Sequence, residues 1–83
     1  MNYETMNSIF ESNNNIKFKL YSLDYVIENV NGIIQVYAID YPTRKSKYNS
    51  FKEAMNSYKV YNEPLIQQLD RITINQGENN GII

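Results

Sequence analysis

The chain contains no cysteine and no histidine. Without thiols there is neither a disulfide nor a thiolate nucleophile, and without imidazole the commonest general base and the usual zinc ligand sets are gone. A small secreted scaffold is normally stapled by disulfides, so their absence points to a reducing cytosol. Long apolar runs are missing too. None approaches the roughly 20 residues that a bilayer span requires. The opening Met1-Asn2-Tyr3-Glu4 has neither the basic nor the apolar region of a signal peptide. Charge of one sign is also lacking: a formal net charge of −1 suits neither a nucleic-acid mimic nor a strongly basic nucleic-acid binder. Together these absences predict a cytoplasmic protein with no metal, no cofactor and no membrane segment.

What remains is ordinary globular material. Hydrophobic residues make up 42% and charged residues 20% of 83 residues, which argues against disorder throughout. A chain of this length builds one core and buries roughly 60 to 65% of its unfolded surface. Eight tyrosines and thirteen asparagines stand out.

The apolar spacing changes period along the chain. Tyr3, Met6, Ile9 and Phe10 form one stripe of a short helix that Asn2 can cap and that ends near Ser12, before the turn-prone Asn13-Asn14-Asn15. Ile16, Phe18 and Leu20 then alternate with Lys17, Lys19 and Tyr21, a half-buried strand. A second strand from Leu23 to Val30 meets a third from Ile33 to Asp40 across Asn31-Gly32, the dipeptide best suited to a two-residue type I′ turn. That turn predicts the register: Val30 opposite Ile33, Glu28 opposite Gln35, Val26 opposite Tyr37, Ile27 opposite Val36, Tyr25 opposite Ala38.

Leu23, Tyr25, Ile27, Ile34, Val36 and Ala38 then share the more apolar face, the expected core side. The opposite face still carries Val26, Val30, Ile33, Tyr37 and Ile39 around Glu28 and Gln35, more apolar surface than a solvated sheet face usually shows. Either the N-terminal helix or a partner is expected to cover it.

Tyr41-Pro42 breaks the third strand, and Thr43 to Lys47 reads as a turn into a short charged edge strand ending near Asn49. Ser50-Phe51-Lys52-Glu53 is a capping box, predicting a helix from Phe51 to about Ser57 with Phe51, Ala54 and Met55 buried. Lys59-Val60-Tyr61 reads as briefly extended. Asn62-Glu63-Pro64 looks like the start of a last helix, with Leu65, Ile66, Leu69 and Ile72 as its stripe and an end near Arg71. The predicted fold is α+β, a three- to four-stranded antiparallel meander with flanking helices in the order α-β-β-β-(β)-α-β-α. Residues 1–74 form the domain and 75–83 a flexible tail.

Ser50-Phe51-Lys52-Glu53-Ala54-Met55, Lys59-Val60-Tyr61 and the short apolar helix from Leu65 to Ile72 follow a tyrosine-rich hairpin. Over Asp24 to Ile72 this arrangement resembles a group of small proteins, without assigned activity, from prophages and other mobile elements of low-GC Gram-positive bacteria. Those proteins have a glycine-containing turn where this chain has Asn62-Glu63-Pro64. The resemblance implies a mobile-element setting and transfers no functional residue.

Three chemistries can be weighed on the residues. Catalysis by carboxylates would draw on Asp24, Glu28 and Asp40, but acid–base work needs two of them converging in a dry cleft, and no phosphate-binding or metal-ligand spacing is present. The chain is therefore expected not to be an enzyme. Nucleic-acid binding would use a basic strip of Lys17, Lys19, Arg44, Lys45 and Lys47, with tyrosines available for stacking; the same lysines also serve simply to keep strand edges from aggregating.

Protein binding, or self-association, would use surface tyrosines, because so small a core cannot bury eight of them with every hydroxyl satisfied. Tyr37, Tyr41, Tyr48, Tyr58 and Tyr61 are the candidates, over an apolar floor of Val26, Val30, Ile33 and Ile39. An amphipathic tyrosine belt over a thin core would look the same. The leading expectation is a non-catalytic protein-interaction module, an accessory or inhibitory protein of a mobile element, acting on a host or competitor protein. Nucleic-acid binding is the alternative.

Overall fold

The first helix, α1 (Tyr3–Asn13), starts where Asn2 turns extended and its side-chain oxygen accepts from the Thr5 amide at 2.8 Å. It stops at Asn14, whose φ of 60° is left-handed. In the computed structural model, which describes residues 1–75, this helix leads into the meander β1 (Asn15–Leu20), β2 (Leu23–Val30), β3 (Ile33–Ala38) and β4 (Ser46–Tyr48). Then follow α2 (Phe51–Ser57), a small hairpin of β5 (Lys59–Val60) and β6 (Glu63–Pro64), two 3-10 turns at Leu65–Gln67 and Leu69–Arg71, and β7 (Thr73–Ile74). The main sheet has five strands in the order β4-β3-β2-β1-β7, every neighbouring pair antiparallel. The α+β class and the meander are as expected from the sequence.

The β2–β3 register is the one that Asn31-Gly32 predicts: Val30 pairs with Ile33, Glu28 with Gln35, Val26 with Tyr37. Asn31 (φ 54°) and Gly32 (φ 90°) both lie in the left-handed region that a type I′ turn demands, and the Gly32 amide donates to Asn29 Oδ1 at 2.8 Å. Two further turns of this kind have no such dipeptide. Tyr21-Ser22 (φ 53° and 70°) joins β1 to β2, and Tyr61-Asn62 (φ 53° and 67°) joins β5 to β6. A tyrosine at positive φ is strained. The two tyrosine rings meet edge to face at 5.0 Å, a contact that offsets part of the strain.

Both helices pack on one side of the sheet. Met6 and Phe10 from α1, and Phe51, Ala54 and Met55 from α2, join Ile16, Phe18, Leu20, Tyr25, Ile27, Ile34 and Val36 in one buried cluster. Phe10 stacks on Phe51 with ring centroids 4.7 Å apart, so the helices are fastened to each other as well as to the strands. Burying a side chain the size of Phe18 contributes roughly 2 to 3 kcal/mol.

The expected last helix is not an α-helix. Its intended cap, Asn62, has positive φ and turns a hairpin, whereas an N-cap needs extended backbone. Pro64 is itself extended (φ −66°, ψ 152°), and the Leu65 amide donates across to the Tyr58 carbonyl at 3.0 Å. The apolar stripe is instead satisfied by two 3-10 turns that bury Leu65 and half-bury Ile66 and Leu69, with Ile72 buried beyond them. Between the turns lies Gln68, fully buried, whose amide nitrogen donates to the carbonyls of Val60 (3.0 Å) and Glu63 (2.7 Å). That side chain ties the small hairpin to the turns.

Strand β7 was not legible in the sequence. It pairs Ile74 with Phe18 and Thr73 with Lys19. Asn75, assigned above to the tail, is anchored: its backbone amide donates to the Lys17 carbonyl at 3.0 Å and its side chain to Asp24 Oδ1 at 2.9 Å. The rest of that tail, 76–83, lies outside the described residues.

Candidate functional site

Strand parity places every second residue of the sheet on the side away from the helices. The pairs Lys17–Val26, Lys19–Asp24, Val26–Tyr37, Glu28–Gln35, Val30–Ile33 and Gln35–Lys47 lie there. Neither helix reaches this face, since the buried residues of both belong to the cluster on the other side. Of the two covers expected for it, the N-terminal helix and a partner, the helix is therefore excluded.

Along β3 and just beyond it, Ile33, Gln35, Tyr37 and Ile39 form a row of roughly 20 Å, at two residues per 6 to 7 Å. Val30, Ile33 and Ile39 are 40%, 41% and 40% exposed, large values for aliphatic side chains. Tyr37 is half-buried, donates its hydroxyl to Glu28 Oε2 at 3.1 Å and carries the Lys45 ammonium 5.0 Å above its ring. Burial first, and then the bond to Glu28, hold its phenol above the usual range.

Three of the expected binding residues are placed differently. Val26 is on this face but only 4% exposed, because it sits in the middle strand between its paired neighbours Lys17 and Tyr37; it is floor, not contact. Tyr48 pairs with Ile34, so parity turns it to the helix side, where it packs half-buried on the core. Tyr41, 51% exposed, lies in the loop after β3 beneath the Arg44 guanidinium, 5.6 Å from its ring centroid. Of the other tyrosines, Tyr58 packs against Tyr25 at 6.3 Å, and Tyr61, 77% exposed, caps its hairpin against Tyr21.

The basic residues do not form one strip. Lys17 and Lys19 lie on β1, and Lys47 on β4 with Lys45 just before it, so two lysine rows flank β2 and β3. Three strand spacings of about 4.8 Å separate the rows by roughly 14 Å. Asp24 and Glu28 stand between them, four positions apart along β2, or about 13 Å, too far to share a proton. Asp24 meets Lys19 Nζ at 3.3 Å and Asn75, and these partners, Asn75 first, hold its carboxyl below the usual range.

At the hairpin end, a shallow hollow of about 490 Å³ is lined by Val30, Ile33, Gln35, Lys47, Tyr48 and Glu53. Glu53 is occupied in the capping structure, accepting from the Asn49 amide at 2.8 Å while its own amide donates to the Ser50 hydroxyl at 3.0 Å.

No family model, no curated protein and no solved structure matches this chain. Function is therefore argued from the residues. Among the described residues no helix is long and apolar enough to cross a membrane.

Proposed function

We propose that the chain is a non-catalytic protein-interaction module that binds its partner through the face of the five-stranded sheet that neither helix covers. One observation carries this reading: both helices cluster on one side, while the other side keeps three aliphatic side chains about two-fifths exposed around a positioned tyrosine. Covering them would bury apolar area at roughly 25 cal/mol per Å², and Tyr37, with its hydroxyl held by Glu28, loses little freedom on being covered. The binding residues are Ile33, Tyr37 and Ile39 with Val30, and Tyr41 at the margin. The same proposal includes an accessory or inhibitory role, exerted by occupying a surface of another protein in the cytoplasm.

Affinity capture with the whole chain from a low-GC Gram-positive lysate tests this, comparing the parent with Ile33→Asp and with the helix-side surface control Lys52→Ser. A partner retained by the parent and by Lys52→Ser, but lost with Ile33→Asp at unchanged thermal stability, is the expected result. Retention by all three would refute the assignment of this face.

A further inference from the structure

The dipeptide that makes the β2–β3 turn is also the one whose asparagine cyclises most readily. Of the thirteen asparagines, Asn31 and Asn80 alone precede glycine, which leaves the next backbone nitrogen without a side chain to shield it. Asn31 and Gly32 are both exposed, so water reaches the turn. We propose that Asn31 is a site of spontaneous deamidation and that the Asn29 side chain guards it, by holding the turn in the form that does not react. This goes beyond the reading of the open face and does not depend on it.

The reaction exchanges an amide for an acid. The Gly32 backbone nitrogen gives up its proton and attacks Asn31 Cγ; the new C–N bond expels the side-chain nitrogen as ammonia and leaves a five-membered succinimide. Water then adds to either ring carbonyl and opens the ring. One opening leaves an aspartyl residue, the other an isoaspartyl residue in which the backbone runs through the former side chain. Nothing is oxidised or reduced, and water is the one co-reactant.

Ring closure sets a backbone requirement. The nitrogen must swing to the side of Cβ, which takes the Asn31 ψ to about −120°, the first-position value of a type II′ turn, whereas type I′ has about +30° there. Both turns start from a positive φ, and Asn31 already has 54°. What has to flip is the peptide between Asn31 and Gly32, carrying Gly32 from its φ of +90° to the negative φ of a II′ turn, a change that glycine makes freely.

That flip turns the Gly32 N–H away from Asn29 Oδ1, the acceptor that it meets at 2.8 Å. The bond opposes the reaction twice. It holds the peptide in the I′ orientation, and it keeps on the nitrogen the proton that attack requires it to lose. Asn29 is itself fixed, its backbone amide donating to the Asn14 carbonyl at 2.9 Å. Losing one hydrogen bond of ordinary net strength is about a three- to tenfold effect on such a rate.

The two products differ at the sheet. An aspartyl residue before Gly32 still suits a type I′ turn. An isoaspartyl residue lengthens the backbone inside a two-residue loop, so the pairs Val30–Ile33 and Val26–Tyr37 that the loop fixes lose their register.

The test follows Asn31 in the full chain at slightly alkaline pH by mass spectrometry of proteolytic peptides, which separates it from Asn80. Parent, Asn29→Ala, Asn29→Asp and Ile72→Val are each compared folded and in urea. Ile72→Val trims the buried Ile72, far from the turn, and lowers stability by about as much as a lost hydrogen bond. The folded parent is expected to lose the Asn31 amide far more slowly than the parent in urea. Asn29→Ala is expected to raise the folded-to-urea ratio of rates by about three- to tenfold. Asn29→Asp, which keeps an acceptor oxygen, and Ile72→Val are expected to keep the parent ratio.

Retention of the Asn31 amide in urea overturns the site itself. A folded parent as fast as the unfolded one, an Asn29→Ala ratio equal to the parent's, or an equal rise with Ile72→Val overturns the guard. An isoaspartyl product whose Ile33 and Tyr37 amide NMR shifts match the parent's overturns the loss of register. None of these measurements involves a partner, so they stand or fall apart from the Ile33→Asp capture.

Discussion

Replacing the Gln68 side-chain nitrogen by oxygen, in Gln68→Glu, changes almost no volume and should nearly unfold the protein at neutral pH. Gln68 is fully buried, and its amide nitrogen is the donor to Val60 O at 3.0 Å and Glu63 O at 2.7 Å. A carboxylate has no proton to give, and three oxygens would face one another out of water. The chain's cheapest response is to keep the introduced carboxyl protonated. From an ordinary glutamate pKa of about 4.3, that costs about 3.7 kcal/mol at pH 7. A protonated carboxyl donates once rather than twice, so about 1 kcal/mol more is lost.

The sum, near 5 kcal/mol, compares with a total of about 4 to 12 kcal/mol for a domain of this length. The sign follows from a folded pKa raised above the unfolded one: the deficit is largest at pH 7 and shrinks to about 1.5 kcal/mol near pH 4.5. Urea unfolding by circular dichroism at the two pH values measures it. Gln68→Met is the control; it removes the donor together with the Gln68 Oε1, which has no partner among the described residues, and should cost about 1 to 2 kcal/mol at either pH. A Gln68→Glu protein within about 1 kcal/mol of the parent at pH 7, or with the same deficit at both pH values, would refute the account of how this residue holds the small hairpin.

Gly32→Ala should cost about 1 to 2 kcal/mol in chemical denaturation from backbone alone, since Gly32 has φ +90° and nothing lies within 4 Å of an added Cβ. A double-mutant cycle on Tyr21→Ser and Tyr61→Ser should return a coupling of about 0.5 to 1.5 kcal/mol if the edge-to-face contact secures the small hairpin to the β1–β2 turn. Asp24, depressed by Asn75 and then Lys19, contributes stability that is present above the ordinary carboxylate pKa near 3.9 and lost as pH falls through its lower folded value. Asp24→Asn should therefore flatten the acid limb of the stability profile. Tyr3, Tyr25, Tyr37 and Tyr58, all raised chiefly by burial, should ionise above the ordinary phenol range near 10 in a spectrophotometric alkaline titration. The stability they contribute is present below that value and fades as pH rises through the raised one.

Local grammar carried much of this protein. Asn2 as a cap, the alternation from Ile16 to Leu20, Asn31-Gly32 and Ser50-to-Glu53 each act over a few residues, and each appears in the structure where its chemistry puts it. Because side chains alternate along a strand, the turn at Asn31-Gly32 alone settled that Ile33 and Tyr37 share a face and that Val36 does not. The absence of cysteine and histidine was likewise decisive by itself about which ligands and nucleophiles the chain can offer.

Tertiary structure decided the rest. Asn62-Glu63-Pro64 reads locally as a helix start, yet burial of Gln68 and the bond from Leu65 to Tyr58 make it the second strand of a hairpin. Nothing in Thr73-Ile74 marks a strand; the open edge of β1 recruits it, an event about 55 residues distant in sequence that no short window can register. Whether α1 lay above or below the sheet was equally invisible, since its stripe of Met6 and Phe10 would pack on either side. Stacking of Phe10 on Phe51 holds both helices together on one side, and the opposite face is left without a helix.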